Sequence, residues 1–196
     1  EKGLIAIEQS AYGEIRVVDL DETRCMIIDG GTHTIVDTAT WDSRFAYVNV
    51  LDIAKGFFDR PGEMLLMGLG GGSVVKSFKR DGWSVDAVEI DPVVTKMART
   101  HFGLRPDEAV IYEMDARQFL ITHDKTYDLI VMDAFGSSSI PFHLVTADAF
   151  GLIRSHLVPG GILAMNVEAV GWHDVIVRSL AATANRQFEH VSVLPI

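Results

Sequence analysis

The residues that could do chemistry follow apolar runs. The first set is Gly68-Leu69-Gly70-Gly71-Gly72-Ser73, directly after Met64-Leu65-Leu66-Met67. Glycines between a strand and a helix let backbone N–H groups come close to a ligand at the helix N-terminus. Ser73 stands where a dinucleotide-type GxGxxG pattern wants Gly, so that match is imperfect. A tight turn without a ligand is the plain alternative, and the glycine density argues against it. Glu89 lies 21 residues after Gly68, at the end of a second apolar run. An acidic side chain there can accept both ribose hydroxyls of an adenosine ligand, although a strand-end carboxylate can also be merely solvated. Asp115 follows a third run. It can accept from an adenine amino group or cap the next helix, and the two roles are compatible. Asp133 ends the strongly apolar run Leu129-Ile130-Val131-Met132. A carboxylate there can take a proton from an amine or hold a cation, against the alternative of a loop cap.

Bringing these residues together requires a particular frame. From residue 63 onward short apolar strands alternate with helices. Strands are expected at 64–67, 84–90, 109–114, 127–132, 162–166 and 191–194, and helices at 73–80, 92–100, 117–120, 147–157 and 174–183. Near-continuous apolar strands between helices imply a parallel sheet covered on both faces, that is, an α/β doubly wound sheet. Its strand order reverses between the first and fourth strands, and ligands sit beyond the carboxyl ends at the reversal. The glycine loop, Glu89, Asp115 and Asp133 all fall on that rim. The segment 134–146 is long for a strand-to-helix connection, where ~2–6 residues is usual. It reads as an acceptor pocket or lid, with His143 inside it.

The N-terminal part has another rhythm. Runs at 15–19, 25–28 and 32–36, with the turn Asp29-Gly30-Gly31, predict a small antiparallel sheet. Phe45, Val48, Leu51, Ile53, Ala54 and Phe57 predict one helix, ended by Asp59-Arg60-Pro61-Gly62. The expected division is a β domain over 1–40 and a nucleoside-binding domain over 41–196.

Composition narrows the function classes. The chain has 196 residues, 48% hydrophobic and 22% charged, which excludes wholesale disorder. Its net charge of −10 makes a phosphate-backbone partner a poor expectation. The single cysteine, Cys25, excludes a disulfide framework and reads as a buried thiol in a strand. The histidines lack metal-ligand spacing, so no metal site is expected. Trp83, Trp172 and the methionines read as packing residues. No apolar run reaches the ~18 residues of a membrane span, and no signal peptide is visible, so a cytoplasmic protein is the expectation. The ends, Glu1 and Pro195-Ile196, read as those of a piece of a longer product.

The chain resembles the spermidine synthase (polyamine aminopropyltransferase) family along essentially its whole length. Ser10-Ala11-Tyr12-Gly13-Glu14-Ile15 and Ile28-Asp29-Gly30 are similar to the family's N-terminal β domain. Trp41 to Tyr47 is similar to its D-E-F-x-Y segment, and Gly68 to Val75 to its G-G-G-D-G-G loop. Glu89-Ile90-Asp91 matches the E-I-D triplet, Asp115-Ala116 stands where the family holds adenine, and Asp133 falls on its catalytic Asp.

The resemblance implies a Rossmann-like, S-adenosylmethionine-dependent methyltransferase-type fold with a small N-terminal antiparallel β domain. It implies aminopropyl transfer from decarboxylated S-adenosylmethionine, a co-substrate that is not tightly bound, to a small-molecule amine. Asp133 would be the base, and Tyr47 would orient or deprotonate the amine. Gly68, Gly70, Gly71, Gly72, Glu89, Ile90, Asp115, Ala116 and His33 would hold the nucleoside. A homodimer is implied, with no nucleic acid or membrane partner.

The departures are specific. Gly71 and Gly136 replace two family carboxylates, His33 replaces a Gln, and Val48 follows Tyr47. Losing both carboxylates removes two charge-assisted contacts of roughly 1.5–3 kcal/mol each. Adenosine recognition is expected to persist and amine recognition to differ, so putrescine is not the expected acceptor. The alternatives are a methyltransferase using intact S-adenosylmethionine, a non-catalytic nucleoside-binding module and, more distantly, a nicotinamide dehydrogenase. The final antiparallel strand usual in methyltransferase-like sheets is expected to be missing.

Overall fold

The structure is a computed structural model that describes residues 3–134, 141–171 and 173–194. Among these residues, β1 (Leu4–Gln9), β2 (Glu14–Leu20), β3 (Thr23–Ile28) and β4 (Gly31–Asp37) form an antiparallel sheet in sequence order. Alternation along β2 buries Ile15 and Val17 and turns Arg16 outward, the period-2 signature of a half-buried strand.

An α-helix, α1 (Ala46–Leu51), then runs directly into a 3-10 turn at Asp52–Phe57. The single helix expected here is therefore split. Gly56 and the β-branched Ile53 weaken the helical continuation. Phe57 is 71% exposed, so the apolar stripe is not fully covered.

The second sheet is built from β5 (Glu63–Met67), α2 (Ser73–Arg80), β6 (Ser84–Glu89), α3 (Pro92–His101), β7 (Val110–Glu113), α4 (Ala116–Thr122), β8 (Tyr127–Met132), a 3-10 turn (Phe142–Leu144), α5 (Ala147–Ser155), β9 (Leu157–Met165) and α6 (Val175–Ala184). Its order is β7-β6-β5-β8-β9, and all pairs are parallel. The reversal lies between β5 and β8, as expected.

Side-chain alternation explains the two-sided core. Met64, Leu66, Leu129 and Val131 pack with α1 and α2 on one face. Leu65, Met67, Ile130 and Met132 pack with α4 and α5 on the other. The two sheets are joined through α3. Val94 and Met97, with the adjoining Phe102, pack against Ile15, Val17, Met26 and Val36. Trp83 is buried edge-on against Phe58 and Phe78, and Cys25 is a buried free thiol. Trp172 lies outside the described residues.

Two further expectations are corrected. Residues 191–194 form no strand, so the sheet has five strands among the described residues. Apolar content alone does not make a strand without a neighbour to complete its backbone hydrogen bonds, and Val193 and Leu194 remain 45% and 58% exposed. The strand expected at 162–166 starts earlier, so Pro159-Gly160-Gly161, between the expected helix and strand, lies inside β9. The register against β8 shifts between Tyr127 and Leu129, which accommodates the interruption. The preceding helix ends at Ser155.

Candidate active site

The carboxyl ends of β5, β6, β8 and β9 open into a cleft of about 1800 Å³. Its lining includes Gly68, Gly70, Gly71, Glu89, Ile90, Asp115, Ala116 and Asp133, joined by His33 from β4 and Tyr47 from α1. Gly72 is the exception among the expected site residues. It does not line the cleft but turns the chain into α2 at φ +81°, with Leu104 beneath it.

Gly68 must be glycine for two reasons. Its φ is +98°, and a Cβ there would come within 2.4 Å of the Asp133 carbonyl oxygen. The loop that follows is fixed from two sides. Glu89 Oε2 accepts from Leu69 N–H at 2.9 Å, and its Oε1 accepts from Asp91 N–H at 3.0 Å. Thr34 Oγ1 accepts from Gly71 N–H at 2.9 Å. Burial pushes the Glu89 carboxyl above its ordinary range, opposed by these N–H donors. The Ser73 hydroxyl, at the head of α2 on the cleft wall, is buried without a partner among the described residues. An unsatisfied hydroxyl beside a glycine cradle suits a polar ligand atom, so the residues present fit a nucleoside bound at the head of α2.

Asp115 is both helix cap and cleft residue. Its Oδ1 accepts from Gln118 N–H at 2.9 Å, and its Oδ2 meets His143 Nε2 at 2.8 Å. Ile90 is partly exposed on the same wall. Burial lowers the His33 pKa, which keeps that imidazole neutral.

Asp133 sits just past β8. Tyr47 donates from Oη to Asp133 Oδ2 at 3.0 Å, and Asn166 donates from Nδ2 to Oδ1 at 3.0 Å. Both partners are neutral. Burial raises the Asp133 pKa to about 6, while the two hydrogen bonds hold it down. Burial first, and then the neighbouring Asp133 carboxylate, raise the Tyr47 phenol far above its usual range. Tyr47 is therefore held as a hydrogen-bond donor to the carboxylate.

The sequence reading missed Thr34 and Asn166 as site residues. Asn166 directly follows β9, on the rim where strand ends deliver side chains, and that placement was its available signal. Gly136 lies outside the described residues.

A methyltransferase-domain family model matches residues 65–165. The chain belongs to the methyltransferase-domain family. Its sequence is similar to the polyamine aminopropyltransferase of Vibrio vulnificus (strain CMCP6), 30% identical over 83% of this chain and 58% of that protein. It is also similar to an N-terminal histidine N-methyltransferase of Emericella nidulans, 32% identical over 61% of this chain and 22% of that protein. The spermidine synthase of Thermotoga maritima has the same fold, with a TM-score of 0.80 at 18% identity, covering 95% of this chain and 65% of that one. The chain thus spans just over half the length of the Vibrio relative. Among the described residues, no helix is long and apolar enough to cross a membrane.

Proposed function

We propose that this chain is an S-adenosyl-dependent transferase that moves an aminopropyl group from decarboxylated S-adenosylmethionine to a small-molecule amine. One observation carries the reading. A buried carboxylate, Asp133, is held by two neutral donors on the same rim as the glycine loop and Glu89. An amine must be neutral to attack the carbon beside a sulfonium. The amine nitrogen would form the new C–N bond as the C–S bond breaks. Methylthioadenosine would leave, and Asp133 would take the amine proton. With its pKa raised to about 6, the carboxylate is mostly ionised at neutral pH yet basic enough to accept that proton.

Glu89 and Asp115 would receive the ribose and the base, with Ile90, Ala116 and His33 completing the wall. The reading divides the chain into a β domain over 1–40 and a nucleoside-binding domain over 41–196. It takes the protein to be a cytoplasmic homodimer without a nucleic acid partner, in keeping with the charge of −10.

A second reading, methyl transfer from intact S-adenosylmethionine, is favoured by Gly71. A Cβ at that position would meet Thr34 Cγ2 at 2.6 Å and the Phe102 ring at 3.0 Å. A side chain at 71 would need Thr34 and Phe102 to shift, and Gly71 itself offers no carboxylate to a donor ammonium.

Calorimetric titration with S-adenosylmethionine, its decarboxylated form and methylthioadenosine separates the readings. Tighter binding of the decarboxylated donor, with methylthioadenosine released in the presence of an amine panel, supports the first. Preference for the intact donor supports the second, and no binding of any of the three removes both.

A further inference from the structure

His143 stands on the cleft wall opposite the head of α4, and no step of the proposed transfer uses it. Its Nε2 lies 2.8 Å from Asp115 Oδ2. An ionised carboxylate has no hydrogen to give, so the imidazole donates. The other Asp115 oxygen already accepts from Gln118 N–H at the start of α4. The His143 backbone is itself anchored, because Arg117 Nη1 donates to the His143 carbonyl at 2.8 Å and to Thr146 Oγ1 at 3.2 Å. Asp115 is thereby fixed from two directions. A carboxylate offers about four lone-pair positions, so acceptor capacity remains for a ligand in the cleft.

This arrangement has a consequence for base identity. An acceptor held in place, with no hydrogen of its own, welcomes an exocyclic amino group and opposes an exocyclic carbonyl oxygen. We propose that His143 is a specificity-determining residue of the base subsite, which holds Asp115 so that the cleft takes 6-aminopurine nucleosides and rejects 6-oxopurine ones. The inference rests on the nucleoside-binding reading and deepens it. It assigns His143 a positioning role through Asp115 and no part in proton transfer.

The test compares methylthioadenosine with methylthioinosine, which differ at the purine 6-position, by calorimetric titration of the wild-type chain and two variants. Wild type is expected to favour the 6-amino ligand by at least about a hundredfold, since a site built to hydrogen-bond a ligand group can reject an analogue lacking it by ~10⁴-fold. His143→Ala is expected to lose about tenfold in methylthioadenosine affinity while methylthioinosine is unchanged, so the ratio falls by the same factor. His143→Gln, which keeps an N–H donor, is expected to recover most of the ratio. A general structural loss would weaken both ligands alike, because they share the sugar and the thioether, and that result would overturn the proposal. An unchanged ratio in His143→Ala would overturn it too, while leaving the nucleoside reading intact. Failure of the wild type to bind either ligand would remove the nucleoside reading and the proposal with it.

Discussion

Replacing Asn166 with Leu tests how Asp133 is tuned. Asn166 gives one of the two hydrogen bonds to the carboxylate, 3.0 Å from Oδ1, and Tyr47 gives the other. Leu has a similar volume but no donor. A hydrogen bond to a charged group contributes ~1.5–3 kcal/mol, and each pKa unit corresponds to about 1.4 kcal/mol. Losing the Asn166 donor should therefore raise the Asp133 pKa by roughly 1–2 units. Starting from about 6, the ionised fraction at pH 7 falls from about nine-tenths to between roughly one-tenth and one-half. The acidic limb of the pH profile of kcat/KM should move upward by the same interval, with most of the activity recovered at alkaline pH. Carbon-detected NMR titration of the Asp133 carboxyl reads the same shift without depending on turnover. An acidic limb that stays in place, or moves down, would refute the assignment of Asn166 as a donor that stabilises the charged base.

Other perturbations have defined outcomes. Gly71→Asp should not rebuild a donor-amine contact, because its Cβ would meet Thr34 Cγ2 at 2.6 Å; overpacking of that kind costs ~1–3 kcal/mol, readable as a lower thermal midpoint. Glu89→Ala leaves the Leu69 and Asp91 N–H groups without their acceptor, at ~1–3 kcal/mol each, and should abolish nucleoside binding by calorimetry. Asp133→Asn should stop turnover yet stabilise the fold at neutral pH. The folded carboxyl has a pKa near 6 against an ordinary 3.8, so its stability contribution is present below pH 4 and lost as pH rises through 6. Removing the charge should return on the order of 3 kcal/mol at pH 7, and the gain over wild type should vanish in melts below pH 4.

The parts of the fold legible in the sequence are those where physics leaves one choice. Met64–Met67 in β5 and Leu129–Met132 in β8 are buried on both faces, so these stretches are unbroken and apolar. Asp115 announces a helix start because a carboxylate before a helix accepts its orphan N–H groups. Legibility fails where a local pattern needs a partner to be decided. Residues 191–194 look like a strand, but strand formation depends on a neighbour that no local pattern reveals. The stretch from Ala46 to Phe57 has a helical stripe, and its second half tightens into a 3-10 turn with Phe57 left outside. In the site, the acidic residues were readable from the strand-end rule. Tyr47 was reached only through the family resemblance, because nothing in its local sequence points at a carboxylate 86 positions away.

The three acidic residues of the rim differ in what holds them, and the work proposed for each follows from that. Glu89 is held by two backbone N–H groups of the adjoining loop and turn. It cannot move without releasing the glycine cradle, so it serves as part of the frame as well as a candidate ribose contact. Asp115 is held by a helix N–H and an imidazole. Its geometry is set, and it keeps acceptor capacity on the cleft wall. Asp133 is held by a phenol and a side-chain amide, both neutral and both on segments distant in sequence. Nothing cationic among those partners stabilises its charge, and burial raises its affinity for a proton into the range where an enzyme base works. The net charge of −10 contributes little to this, since residue type is the same in all three places. Partner type and burial distinguish the three carboxylates, and the roles proposed for them rest on that difference. Gly68 ties the last of these to the strand order: β5 and β8 approach so closely there that the space of a Cβ is taken by the Asp133 backbone. The Asp133 carboxylate is therefore positioned where the strand order reverses, with Tyr47 on α1 and Asn166 after β9 as its hydrogen-bond partners.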